Sequence, residues 1–143
     1  MGKSLTYRLF GLRKVPKETR RRFDGEGILF DEEGTTCSLA YRNFRGTHKS
    51  SGRGWQSGMV GTLVITQHTF YVHLPFMILC DKPVEEAVGY IKVQLKGAAE
   101  LKMEFEVEKL FDKSSGELTC YWHTENAPAI MRYISELQAR QKS

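Results

Sequence analysis

The chain has 143 residues, of which 41% are hydrophobic and 27% are charged. This composition is typical of one soluble globular domain and excludes a chain that is disordered throughout. No run approaches the roughly 20 apolar residues of a transmembrane helix, and a chain of this size buries enough surface to fold without metal ions or disulfides. Three cysteines, with no secretory leader at the N-terminus, predict a reducing, cytoplasmic setting.

The net charge of +4 is distributed in blocks. Residues 1–22 carry +7, residues 23–33 carry −5, residues 34–80 carry +4 without any acid, and residues 81–143 carry −2. Two interpretations stay open. In the first, N-terminal arginines pair with the acidic block, which consists of Asp24, Glu26, Asp31, Glu32 and Glu33. In the second, the basic segments bind an anionic partner, with Arg20, Arg21 and Arg22 as a secondary basic patch.

The N-terminal third predicts a helix followed by strands. Pro16 is suited to open a short helix over 17–23. We treat residues 1–23 as a basic N-terminal extension and 24–143 as the domain. Residues 28–31 and 36–44 are predicted strands, separated by a turn at Glu33 and Gly34.

The rest of the chain predicts strands and then a helix. Residues 61–66 and 69–74 predict a hairpin that turns at Gln67 and His68. Further β segments are predicted at 76–80, 88–95, 101–107 and 117–124, the last two as an antiparallel hairpin. A helix is predicted to begin near Ala127, because apolar residues recur on one face at Ile130, Tyr133, Ile134 and Leu137.

This order predicts a mainly β fold of about seven antiparallel strands and one C-terminal helix, since parallel strands need long crossover connections. Residues 61–73, Gly-Thr-Leu-Val-Ile-Thr-Gln-His-Thr-Phe-Tyr-Val-His, resemble the hairpin of bacterial pleckstrin-homology-like and GRAM-type domains. The hairpin at 101–124 and the helix after it resemble the end of the same domains, so the likeness covers about 27–140. The resemblance implies a barrel capped by the helix, and a non-enzymatic binding or scaffold module.

The chain departs from the phosphoinositide-binding members of that family. Those members carry a basic motif in the first hairpin, where this chain has Asp31, Glu32 and Glu33. They commonly have a tryptophan in the C-terminal helix, where this chain has Tyr133. Recognition of a lipid head group is therefore not carried over residue by residue.

The segment 45–58 is the predicted ligand-binding site. It is rich in glycine and serine, and its candidate residues for binding an anion or lipid are Arg45, Lys49, Arg53 and Trp55. Glycines let backbone amides approach a ligand, and the bases can neutralise a phosphate. The alternative is a long loop kept soluble by its charge, with Trp55 folded back over the domain.

Other chemistry is weakly supported by the sequence. The histidines form no close pair with metal-ligand spacing, so no metal and no cofactor are predicted. Cys37, Cys80 and Cys120 lie in apolar strand contexts, and Glu104, Glu106 and Glu108 alternate on one strand as a solvated face.

The predicted partner is an anionic lipid at a membrane surface or an acidic protein surface, without sequence-specific nucleic acid. One alternative is an interaction adaptor or oligomer building block that pairs through a strand edge. Another is a small-ligand carrier or enzyme with its site inside the barrel. The oligomeric state stays open.

Overall fold

A computed structural model describes residues 15–45, 52–75, 77–106 and 115–141, and for 42–45, 52–56, 77 and 115 it describes the backbone alone. It contains helices α1, α2 and α3 and strands β1 to β7. The helices are α1 Lys17–Glu26, α2 Val84–Ala87 and α3 Ala127–Gln141, with a 3-10 turn at Val88–Tyr90. The strands are β1 Ile28–Arg45, β2 Gly52–Thr66, β3 Thr69–Leu74, β4 Met77–Pro83, β5 Ile91–Gly97, β6 Glu100–Glu106 and β7 Ser115–His123.

The fold is mainly β, as predicted, with seven strands followed by a C-terminal helix. The strands form one sheet in the order β4-β3-β2-β1-β7-β6-β5, so β4 and β5 are the edge strands of the described sheet. The pairings of β1 with β7, β2 with β3, β3 with β4, β5 with β6 and β6 with β7 are antiparallel. The described residues divide into two compact units, one from those within 1–36 and 60–87 and the other from those within 37–59 and 88–143.

In the first unit, α1 is held on the sheet by one aromatic side chain. Phe23 is its buried residue, fully enclosed, and it packs with Val15, Val64 and Tyr71 in one cluster, against which Ile28 also lies. The rings of Phe23 and Tyr71 meet edge to face with centroids 5.1 Å apart. The predicted boundary after residue 23 therefore falls within a helix, because α1 continues to Glu26.

The hairpin of β2 and β3 confirms the prediction at 61–74. Thr62 pairs with His73 and Ile65 pairs with Phe70 in the register. At the turn, the hydroxyl oxygen of Thr66 accepts hydrogen bonds from the backbone N–H groups of His68, at 3.1 Å, and Thr69, at 2.8 Å. The side chain of Thr66 therefore accepts hydrogen bonds from two backbone N–H groups at this two-residue turn.

Two predicted boundaries are wrong. Gly34 does not turn the chain, because β1 runs unbroken from Ile28 to Arg45. Gly34 instead adopts a positive φ of 72° within the strand, and its N–H donates to the hydroxyl of Thr62. Residues 88–90 form a 3-10 turn, since Val84, Ala87 and Val88 are buried at helical spacing and extend the α2 turn before β5 begins.

In the second unit, β5, β6 and β7 present one apolar face to α3. Leu101, Met103 and Phe105 of β6 lie opposite Trp122, Cys120 and Leu118 of β7, and all six are buried. The buried face of α3 consists of Ala127, Ile130, Ile134 and Leu137. The alternation in 101–106 and the helical period after 127 thus confirm the predicted hairpin and helix.

Candidate functional site

The predicted ligand-binding segment does not form one long loop. Residues 52–58 belong to β2, which begins at Gly52, and Arg45 is the last residue of β1. Lys49 and the side chains of Arg45, Arg53 and Trp55 lie outside the described residues. The prediction that these four residues bind an anion or lipid therefore stays a prediction. The prediction of a loop is wrong for 52–58, because glycines in this segment permit an extended strand as well as a loop.

Arg20 of the predicted secondary patch is committed to acidic side chains of β1. Its guanidinium donates to Asp31 at 2.9 Å and to Glu33 at 2.6 Å. The other carboxylate oxygen of Glu33 accepts the backbone N–H of Val15 at 2.9 Å. Burial works to lower the pKa of Arg20, but the bonds to Asp31 and Glu33 outweigh it and raise the pKa. Arg20 is thus part of the contact between helix and strand.

Arg22 is held in a similar way on the same helix. It donates to Asp81 of β4 at 2.9 Å, lies 3.8 Å from a carboxylate oxygen of Glu26, and covers the ring of Phe23 at 5.0 Å. Glu26 is one of the acidic residues that the sequence predicted as partners of the arginines. The contact with Asp81 was missed, because the sequence separation of 59 residues gives no local signal.

Arg21 differs from its two neighbours. It is exposed, and among the described contacts it has no ion pair. Arg20 therefore pairs with the acidic block, as the first interpretation of the charge distribution predicted, whereas Arg22 pairs with Glu26 of that block and more closely with Asp81 outside it. A phosphate group at either guanidinium would have to compete with these carboxylates for its N–H donors.

A cavity of about 500 Å³ opens on the first unit, where the β2–β3 turn meets the end of β4. Its charged lining has both signs, with Arg22 and Lys82 positive and Asp81 and Glu85 negative. Backbone bonds fix its rim, since Gln67 N–H donates to Gly27 and Val84 N–H donates to His68. Of the predicted site residues whose side chains the structure describes, Arg22 lines this cavity.

The outer edge of β5 is a second candidate surface. Lys92, Gln94 and Lys96 are exposed along this strand, while Val93 and Leu95 are half-buried between them. The acidic pairing seen on α1 does not recur here, because neither lysine has an ion pair among the described contacts. At the start of the strand, the side-chain amide of Gln138 donates to the carbonyl oxygens of Val88 and Ile91. Helix α3 thus covers the beginning of this edge, and β5 has no strand neighbour on that side in the described sheet.

The opposite edge of the sheet, β4, is less regular. Its pairing with β3 shifts between Val72 and His73, and Pro83 at its end has no N–H to donate. Asp81 is occupied by Arg22, and α2 follows directly. Bulges, prolines and short covering helices are devices that discourage pairing at an edge. Ile78 is nevertheless 48% exposed on this strand.

The thiols are structural. Cys37, Cys80 and Cys120 are free and buried, which confirms their predicted placement in apolar surroundings. Burial raises the pKa of Cys37 and of Cys80 to about 12 and raises that of Cys120 well above its ordinary value. A thiol that stays protonated is a poor nucleophile. These groups therefore act as small apolar side chains.

Other polar groups of the second unit are arranged as a solvated surface. Lys102 and Glu104 form an ion pair at 3.1 Å, and the hydrogen bond to Glu104 raises the pKa of Lys102.

Within the described ranges, no group of three or more His, Cys, Asp or Glu side chains is placed to hold a metal ion. None of the described helices combines the length and apolar character needed for a membrane crossing.

Comparisons with known protein families, with curated proteins and with solved structures find no match for this chain. The function is therefore inferred from the geometry of the chain itself, and the pleckstrin-homology-like resemblance stays a prediction from the sequence.

Proposed function

We propose that this chain is a non-enzymatic binding or scaffold module of pleckstrin-homology-like type, and that it binds an extended segment of a partner protein along the outer edge of β5. The single observation that carries the proposal is the contrast within one strand: β5 is paired with β6 along 91–97 on one side and has no strand neighbour on the other in the described sheet. An edge of this kind offers backbone donors and acceptors to an added strand.

Three features of β5 support this use. The strand is held in place by its pairing with β6 and by α3, so little ordering is needed on binding. Gln138 satisfies the first carbonyl groups, which leaves Lys92–Lys96 as the accessible stretch. The side chains there alternate between exposed and half-buried, which provides different surroundings for successive residues of an added strand.

A peptide selection tests this function. A displayed library of nine-residue peptides is expected to enrich sequences that bind the whole chain, and binding is expected to be lost in L95K. The lysine places a charge on the half-buried side of the edge, a substitution that opposes strand addition. A thermal melt of L95K checks that the fold is retained. Failure to enrich any peptide, or equal binding by L95K, would contradict the proposal.

A second candidate function follows from the charge distribution. Residues 34–80 carry four bases and no acid, which suits a contact of Arg45, Lys49, Arg53 and Trp55 with an anionic membrane lipid. Liposome co-sedimentation tests it, with the triple variant R45Q/K49Q/R53Q. Binding that rises with anionic lipid content and falls in the variant is expected; indifference to either change would contradict this version.

A further inference from the structure

The lysines of β5 lack the ion pairs that Arg20, Arg22 and Lys102 form. In the register, Lys92 lies opposite Glu104. Glu104, however, forms its ion pair with Lys102 of its own strand, at 3.1 Å. Lys96 follows the last regular pair of the ladder, where the register shifts between Leu95 and Gly97. Within the part of the chain that the structure describes, both lysines are therefore exposed on the same side of β5, and neither forms an ion pair.

The other side of the strand is apolar. Val93 lies opposite Met103 and Leu95 lies opposite Leu101. Both β6 side chains are fully buried, whereas Val93 and Leu95 are half-buried because no further strand of the described sheet covers them. An added strand with apolar residues at every second position would extend this face by one row.

These two sides together define the partner. We propose that the segment bound by β5 is an extended peptide in which acidic residues alternate with apolar ones, the acids facing Lys92 and Lys96 and the apolar residues covering Val93 and Leu95. This inference rests on the proposed function, since it names the partner chemistry of the same edge. Opposite charges placed directly across two strands stabilise the pair, and like charges destabilise it.

The same charges disfavour a second copy of the chain as the occupant. Antiparallel pairing of two β5 strands centred on Gln94 would use the whole accessible stretch, and it would place Lys92 opposite Lys96 of the other copy twice. Registers that avoid this contact pair fewer residues. An acidic partner removes the repulsion and keeps the full length of the edge.

The test uses three labelled peptides with the whole chain, in fluorescence anisotropy at low salt. Each has the same flexible ends and five central residues, with valine alternating with glutamate, glutamine or lysine. We expect the glutamate peptide to bind about ten-fold more tightly than the lysine peptide, with the glutamine peptide between them. Added salt is expected to reduce the difference, because both lysines are exposed.

Charge reversal then identifies the surface. K92E/K96E is expected to reverse the order of the peptides and to keep its thermal stability, since both side chains are exposed. The matched control K17E/R21E changes the net charge equally on exposed residues of α1 and is expected to keep the original order. Retention of the order in K92E/K96E, or its reversal in the control, would overturn the inference.

The remaining outcomes separate this inference from the function beneath it. Equal binding of all three peptides, lost in L95K, would overturn the acidic preference and leave strand addition in place. No binding of any peptide would remove both. Light scattering is expected to show no dimer through β5, and a dimer that L95K dissociates would overturn the inference in favour of a second copy.

Discussion

Helix α1 and strand β5 both carry basic residues, and the two regions use them differently. On α1, Arg20 reaches Asp31 and Glu33, and Arg22 reaches Asp81, all at 2.9 Å or less. On β5, Lys92 and Lys96 are exposed and have no ion pair among the described contacts. Arginine suits the first role, because its planar fork can bond two carboxylates at once. Charge count alone therefore does not identify a binding surface, because some bases are already paired with acids and others are not.

The anchoring of α1 gives the largest expected effect. F23A removes the buried ring of this helix and its contact with Tyr71, so we expect a loss of about 3–5 kcal/mol in the free energy of unfolding, as for other buried phenylalanines. Urea unfolding followed by circular dichroism measures it. Exposed Arg21 provides the control, with R21A expected to change stability by less than about 0.5 kcal/mol. Similar values for the two variants would show that α1 is not anchored by Phe23.

The ion pairs of Arg20 are expected to have a smaller but measurable effect. R20Q removes the charged donor from Glu33, whose side chain is 12% exposed, so about 1–3 kcal/mol of stability should be lost. The same unfolding experiment measures it, and R21Q on the adjacent position is the matched control. Equal stability of R20Q and wild type would mean that the arginine is available to a ligand after all.

Sequence patterns predicted the parts of this molecule that depend on local periodicity. The alternation of 101–106 and the helical spacing after Ala127 were sufficient for β6 and α3, because each needs only one buried face. Gly34 was misread because a glycine next to acidic residues is compatible with a turn or with a positive φ inside a strand. The contact of Arg22 with Asp81 depends on strand order, which no local pattern contains. The open edge of β5 was foreseen only as a kind of surface, without its position.

The contact of Glu26 with β2 and with Arg22 makes the stability of the first unit depend on pH. Burial alone would raise the pKa of this carboxyl, but hydrogen bonds from Thr66 and Thr69, with Arg22 nearby, lower it. The ionised form thus stabilises the fold above the ordinary value of 4.5, and this contribution is lost as the pH falls through the lowered pKa. E26Q is expected to be less stable than wild type at pH 7 by under about 1 kcal/mol.

The two stability curves decide the point for Glu26. Urea midpoints measured from pH 7 down to pH 3 should converge as the carboxyl of the wild type is protonated. A constant gap between E26Q and wild type over this range would contradict the role given to the charge.

The β5 lysines should contribute least to stability. K92A/K96A is expected to leave the free energy of unfolding within about 0.5 kcal/mol of wild type, because these side chains have no described partner to lose. The same variant should weaken binding of the glutamate peptide. A large loss of stability would indicate that these lysines are structural, like Arg20, and would remove the difference between the two regions.

Amide hydrogen exchange, with and without the valine–glutamate peptide, reports which strand edge gains hydrogen bonds and so decides whether β5 is the binding edge. We predict slower exchange within Lys92–Lys96 of β5 when the peptide is present, with exchange in Met77–Pro83 of β4 and Lys17–Glu26 of α1 unchanged. Unchanged exchange in β5 would contradict strand addition at this edge, whether or not β4 or α1 becomes protected.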